Sequence, residues 1–199
     1  MKKGIIAIII LIVLGVILGG WYIRTNNMLV DMKGQATKQW ANVESSYQRR
    51  SDLIGNLVKT VQGAADFERE TLTEVIEARA KATSTTIDAN NLTAEQLAEF
   101  QQAQTGLSSA LSRLLVTVER YPELKANQNF LELQSQLEGT ENRINVERNR
   151  FNDLAGEYNI RIKQIPTNII ASLANFDEMA LFTSNPGSEN APDVNFDFE

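Results

Sequence analysis

The sequence predicts an all-α protein: one N-terminal transmembrane helix followed by an antiparallel bundle of three to four long helices. Three features of the 199-residue chain carry this prediction. Gly4 to Ile23 is a run of 20 residues without a charge, and no proline occurs between Met1 and Tyr121. Beyond the apolar run, large apolar residues recur at three-, four- and seven-residue steps, the period of a helix face, and the alternation of a strand is absent.

The apolar run GIIAIIILIVLGVILGGWYI would rise about 30 Å as a helix, one hydrocarbon thickness. It is preceded by Lys2 and Lys3 and followed by Arg24. Gly4, Ile5, Ile10, Leu14, Leu18 and Ile23 represent its lipid-facing residues, and Trp21 and Tyr22 stand where amphipathic rings favour the headgroup level. A cleaved signal peptide would have a shorter apolar region, about 7–15 residues, ending in small residues of the A-x-A kind. Gly19-Gly20-Trp21 does not match that pattern, so residues 1–26 are read as a retained anchor and the bilayer as a partner. Lys2 and Lys3 on one side nearly balance Arg24, Lys33 and Lys38 on the other, and the preferred side for the bundle is the non-cytoplasmic one.

Residues 27–176 are assigned to the bundle. Trp40, Val43, Tyr47, Ile54, Leu57, Val61 and Ala65 fall on one stripe of a first helix. Either Asp66 caps a second helix carrying Leu72, Val75, Ile76 and Arg79, or one helix runs on from about residue 27 to 86. Ile87 to Leu92 (IDANNL) collects turn-favouring residues, and Thr93-Ala94-Glu95-Gln96 has the spacing of a capping box, so a helix should start at Thr93. Leu97, Phe100, Leu107, Leu111, Leu114, Val118 and Tyr121 form its stripe. Pro122 stops that helix and can open the next, whose stripe is Leu124, Phe130, Leu133, Leu137, Ile144, Phe151, Leu154, Tyr158, Ile162 and Ile165. Residues 177–199 are assigned to an acidic, flexible tail, in which Phe196 and Phe198 alternate with polar residues in a pattern suited to adding a strand to a partner's sheet.

The chemistry is restricted by composition. With no Cys and no His, zinc sites, thiolate or Ser–His catalysis and disulfides are excluded. A di-metal carboxylate bundle needs Glu-x-x-His pairs, so no metal or cofactor is expected. Glu68, Glu70, Glu74 and Glu77 read as a solvated acidic face. The net charge of −6 and the lack of a concentrated basic stripe argue against nucleic acid. Two polar groups stand out. Arg49, Arg50, Asp52 and Asn56 cluster at helical spacing, and the arginines can pair with Glu141 or Glu147 on a neighbouring helix, fixing register or forming a patch for an acidic partner. Asn145, Asn149 and Asn152 line one face of the last long helix, as a hydrogen-bonded seam or as a surface for a partner.

Two blocks carry a family resemblance. WANVESSYQRRSDLIGNLVKTVQGAADFE spans Trp40 to Glu68, and LLVTVERYPELKANQNFLELQSQLEGTENRINVERNRFNDLAGEYNIRIKQIPTNIIASLANF spans Leu114 to Phe176. Together they resemble the LemA family of bacterial membrane proteins, over most of the chain after the anchor. Gly55 departs from the pattern, since relatives often carry proline there, and a local bend is expected near it. The resemblance implies a membrane-anchored helical bundle and little chemistry; some relatives are linked to building magnetosome membranes. The expected function is a non-enzymatic scaffold or interaction module that organises membrane-associated proteins and can also self-associate. Membrane shaping by self-assembly is the alternative, and a hydrolase built on Ser, Tyr and carboxylates is disfavoured by the absence of G-x-S-x-G, P-loop and S-x-x-K motifs.

Overall fold

The computed structural model describes residues 2–63, 68–85, 87–89 and 91–183. Among them are six helices and no strand: α1 (Lys2–Gln62), α2 (Arg69–Ser84), α3 (Ala94–Val118), α4 (Pro122–Lys125), α5 (Gln128–Lys163) and α6 (Thr167–Leu173). The expected Asp66 cap, Ala65 in the first stripe, and Phe196 and Phe198 in the tail lie outside the described residues.

With no proline to remove a backbone donor, α1 runs unbroken for 61 residues, about 90 Å of helix. Its first third is long and apolar enough to cross a membrane, and none of that segment is buried by the rest of the chain. Ile5, Ile10, Leu14, Leu18, Tyr22 and Ile23 are exposed and Trp21 is half-buried. From Thr25 onward the same helix enters the bundle, burying Leu29, Ala36, Trp40, Val43, Tyr47, Ile54, Leu57 and Val61.

The chain breaks after Gln62, so the first and second helices are separate. α2 packs on α1 and α3, and α5 packs along α1. Contacts between residues 28 and 161, 39 and 147, and 50 and 141 show that α5 runs antiparallel to α1. The capping box appears as expected: Thr93 Oγ1 accepts from the Gln96 N–H, and Gln96 Oε1 accepts from the Thr93 N–H, each at 3.2 Å. Pro122 opens the one-turn α4, and Asn127 caps α5 by accepting from the Asn129 and Phe130 N–H groups.

α5 organises the core. Phe130, Leu137, Ile144, Phe151 and Tyr158 are buried at seven-residue intervals, a heptad seam that keeps one face turned to α1 over its whole length. Ile76 on α2, expected in the stripe, is instead exposed, because Leu72, Val75 and Ala82 already fill that helix's inner face. Gly55 serves a packing role. The α1 helix continues through it, and the position a Cβ would take lies 3.2 Å from Arg79 Cζ. The missing side chain admits the Arg79 guanidinium, whose Nε donates to the Ser51 carbonyl at 2.7 Å.

The core has two parts. The half distant from the apolar run is built by α1, α2, α3 and α5 around Ile54, Leu57, Val75, Leu107, Leu114 and Leu137. The nearer half has no α2. There α1, α3 and α5 are completed by the 87–92 connection and by residues 176–182, with Trp40, Phe100, Phe151, Tyr158, Met179 and Phe182 at the centre.

Candidate functional site

Two polar constructions join these parts. The first lies between the two apolar cores, at the level where α2 ends. Arg50 of α1 is buried there, its side chain 6% exposed. Its Nη1 donates to Glu141 Oε2 of α5 at 2.9 Å and to Ser108 Oγ of α3 at 3.2 Å. Its Nη2 donates to Gln104 Oε1 of α3 at 2.5 Å, and its guanidinium carbon lies 5.0 Å from the Tyr47 ring centre. Gln104 Nε2 in turn donates to the Ala82 carbonyl at 3.4 Å, one of the last-turn carbonyls of α2 that lack an intrahelical partner. One cation thus ties α1 to α3 and α5, and through Gln104 to the end of α2. Desolvating the guanidinium costs free energy, and these charge-assisted hydrogen bonds offset it only when all four helices hold one register.

Arg50 pairs with Glu141, one of the two expected carboxylates. Glu147, the other, occupies a core position of α5 and accepts from Gln39 Nε2 at 2.7 Å, with Arg150 Nη1 at 3.5 Å. Arg49 is exposed and turned away from this layer. Asp52 is also exposed, accepting from Gln48 and lying 3.7 Å from Arg79, and Asn56 is exposed on the same side. The predicted cluster is therefore split into a buried Arg50 and a surface formed by the other three, because successive residues of a helix project about 100° apart.

The second construction holds the chain's return path. α6 ends in a Schellman turn: the Phe176 N–H bonds to the Ala171 carbonyl at 2.9 Å and Asn175 N–H to Ser172 at 3.4 Å, with Asn175 in the left-handed region at φ 55°. The turn sends residues 177–183 back along α5. Asn159 donates to the Met179 carbonyl at 2.8 Å and accepts from the Met179 N–H at 2.9 Å. Asn152 repeats this with Phe182, both bonds being 2.9 Å. Each amide presents a donor and an acceptor side by side, so each satisfies both backbone groups of one strap residue. Between them Tyr158 donates to the Asp177 carbonyl at 2.9 Å. Burial pushes the Tyr158 pKa up to about 12, with the Asp177 carboxylate adding to the effect. Tyr47 is likewise raised by burial, against the lowering influence of Arg148 and Arg50.

The strap's side chains complete the aromatic core. Phe182 stacks on Trp40 at 5.5 Å, meets Phe151 edge-on at 5.8 Å and lies under Arg148 at 4.5 Å. The tail boundary at residue 177 is therefore corrected: residues 177–183 belong to the bundle, held by apolar burial and paired amides. The asparagine seam is corrected as well. Asn152 is part of it, whereas Asn145 and Asn149 face solvent, since they lie on the flank of α5 away from Ile144 and Phe151. Asn159, one heptad beyond Asn152, is the missing member; the seven-residue interval could have identified it. Gln104 was also legible, because it fills the vacant place in the stripe Leu97, Phe100, Leu107 and Leu111.

Two open clefts flank the Arg50 layer. One, about 310 Å³, lies between α1, α2 and α3 and is lined by Glu44, Gln48, Thr83 and Gln104. The other, about 350 Å³, lies between α1, α3 and α5 and is lined by Ile54, Leu111, Leu115 and Leu137 beside Glu141. Among the described residues, no three His, Cys, Asp or Glu side chains converge as a metal-ligand set.

The LemA family model matches residues 39–196, a stretch that takes in the Arg50 layer, the asparagine clamps and the strap. The chain belongs to the LemA family. It is similar to magnetosome protein MamQ of Magnetospirillum gryphiswaldense and to magnetosome protein MamQ 1 of Paramagnetospirillum magneticum, each 27% identical over 82% of this chain and 66% of the relative. It is also similar to Protein LemA of Metamycoplasma hominis, 21% identical over 82% of this chain and 71% of that one. The chain spans 66% of the length of the two magnetosome relatives, just under two thirds. Within the LemA family match, then, this chain has a helical body with a polar layer at mid-height and a strap that closes the half nearer the apolar run.

Proposed function

We propose that this LemA-family protein is a single-pass, non-enzymatic membrane scaffold that organises membrane-associated proteins through the exposed flanks of its bundle. The observation that carries this reading is the continuity of α1 from the apolar segment into the packed body. A helix with no flexible joint passes orientation from bilayer to bundle. Tethering also raises the effective concentration of partners in the same plane, so modest contacts suffice for assembly. The similarity to proteins named as magnetosome proteins agrees with a role at membranes.

Arg49, Asp52 and Asn56 on α1, and Asn145 and Asn149 on α5, are the exposed polar residues from which such contacts are expected. A scaffold also accounts for the ionisable groups. The two tyrosines with raised pKa values are held in their neutral, unreactive form at physiological pH, unlike a nucleophile or base poised near neutrality. The bundle is assigned to the non-cytoplasmic side, with Lys2 and Lys3 retained in the cytoplasm.

The test is photo-crosslinking in cells from Arg49, Asn145 and Asn149, with buried Phe151 as control, followed by localisation of the captured proteins. Discrete membrane proteins should be captured from at least one exposed position. Their distribution should change when this protein is removed and recover with the full chain but not with a chain lacking residues 1–20. Recovery by the unanchored bundle, or capture no different from the Phe151 control, would overturn the proposal. Protease accessibility of the bundle in intact spheroplasts checks the side.

A further inference from the structure

α6 is apolar on two faces, and the bundle covers only one. Thr167, Ile170 and Ala171 are buried against α1 and α5. On the opposite face Ile169 is 55% exposed and Leu173 70%, and Ile165, in the turn that precedes the helix, is 84% exposed. Their four-residue spacing places Ile169 and Leu173 one above the other, flanked by Asn168 and Ser172. Three large aliphatic side chains in a row are an improbable surface to leave in water, and their height in the molecule identifies what covers them.

Arg161 near the end of α5 lies against Met28, its Nη2 3.5 Å from Sδ. Met28 is five residues beyond Ile23, the last residue of the apolar run, so this contact stands about 8 Å of helix rise above it. α5 runs antiparallel to α1, and its last residues descend further still toward the apolar run. The headgroup layer on each side of a bilayer is about 5–8 Å deep, the difference between the full thickness and the hydrocarbon core. Ile165, four residues past Arg161, therefore falls at the depth of the lipid headgroups, and α6, which follows within two residues and packs on α1 and α5, starts from that level. Arg24 at the inner side of this layer and Arg161 at its outer side can meet anionic headgroups; Lys163 between them is engaged with Glu178 at 2.8 Å.

We propose that Ile165, Ile169 and Leu173 form a hydrophobic foot that inserts into the interfacial layer of the same bilayer that α1 crosses. The foot gives the bundle a second point of attachment, off the α1 axis. The continuous α1 sets the height and axis of the bundle but leaves it free to turn about that axis, whereas a second attachment off the axis fixes its rotational setting on the membrane. This inference rests on α1 being a retained span, and the experiment reports that premise separately.

Because the chain has no cysteine, single-cysteine variants of the full-length protein can carry an environment-sensitive fluorophore. The labels go at Ile165→Cys, Ile169→Cys or Leu173→Cys, at Leu11→Cys inside the span, and at Val116→Cys on the far half of the bundle, all exposed positions. In vesicles containing anionic and zwitterionic lipid, lipids with a quencher near the headgroup should dim the three foot positions several-fold, and lipids with a quencher deep in the acyl chain should dim Leu11→Cys. Val116→Cys should respond only to aqueous iodide. Foot labels as open to iodide as Val116→Cys, with Leu11→Cys still quenched from within, would overturn the foot and leave the anchor standing. Foot labels shielded from iodide yet blind to the lipid quencher would assign the face to a second copy of the chain, and would overturn it equally. Loss of deep quenching at Leu11→Cys would remove the anchor itself, and the foot with it. Ile169→Glu placed in the Ile165→Cys variant should abolish the lipid signal at residue 165, while circular dichroism reports an intact bundle.

Discussion

Arg50 gathers more of the structure onto one side chain than any other residue, and the cost of losing it should reflect that. Its carboxylate partner Glu141 is half exposed, so the pair is screened and worth little by itself. Arg50 also packs its stem in the core and supplies the donors for Gln104 and Ser108. Chemical denaturation should show Arg50→Ala losing about 3 kcal/mol, against about 1 kcal/mol for Glu141→Ala. Equal losses would mean that the ion pair, rather than the buried network, carries the energy. Tyr158 sets a second expectation. Its pKa is near 10 when unfolded and about 12 when folded, so the folded state holds the proton more tightly. Its contribution to stability is complete below pH 10 and declines as pH rises from there toward 12. Tyr158→Phe should flatten this part of the alkaline denaturation profile.

Among the elements, the strap behaves as part of the core rather than as an appendage. Its two amide clamps and the Phe182–Trp40 stack close the half of the bundle that α2 does not reach. The strap's share can be isolated by comparing the chain cut after residue 183 with the chain cut after residue 176. Ending the chain after residue 176 should cost several kcal/mol, since it removes buried Met179 and Phe182 and strands two asparagines. The emission of Trp40 should shift to the red in the shorter chain only. α6 gains a purpose from the same arrangement: its Schellman turn aims the strap.

At the scale of the whole molecule, α1 divides into an apolar segment that the rest of the chain leaves uncovered and a segment packed in the bundle. The apolar third contributes no packing to the body, so removing residues 1–20 should leave a water-soluble bundle with its helicity and its melting temperature within a few degrees of the full chain. Unfolding of that fragment would show that the lower part of α1 stabilises the bundle beyond its contacts. The same division explains how the chain can be built for position: the polar layer at Arg50 fixes register among helices, and the continuous α1 carries that register to the apolar segment.

The all-helical class, the apolar segment, the capping box at Thr93 and most of the core stripe could be read from the sequence. Those features are local or periodic: a run of uncharged residues, a four-residue cap and a heptad each express their physics within one segment. Which partners the buried polar residues would find was settled only by tertiary packing. Arg50, unlike Arg49, fills the vacant place in the stripe of Val43, Tyr47, Ile54 and Leu57, but nothing within its own helix says that the groups it meets are Gln104 and Glu141. The same holds for the asparagines of α5: the heptad interval marks Asn152 and Asn159 as a pair, but the strap they hold is twenty residues or more away in sequence. Local periodicity determines which face of a helix is apolar. The partner that a buried polar group finds is determined by chain segments distant in sequence, because its desolvation must be balanced by whichever groups the fold brings to it.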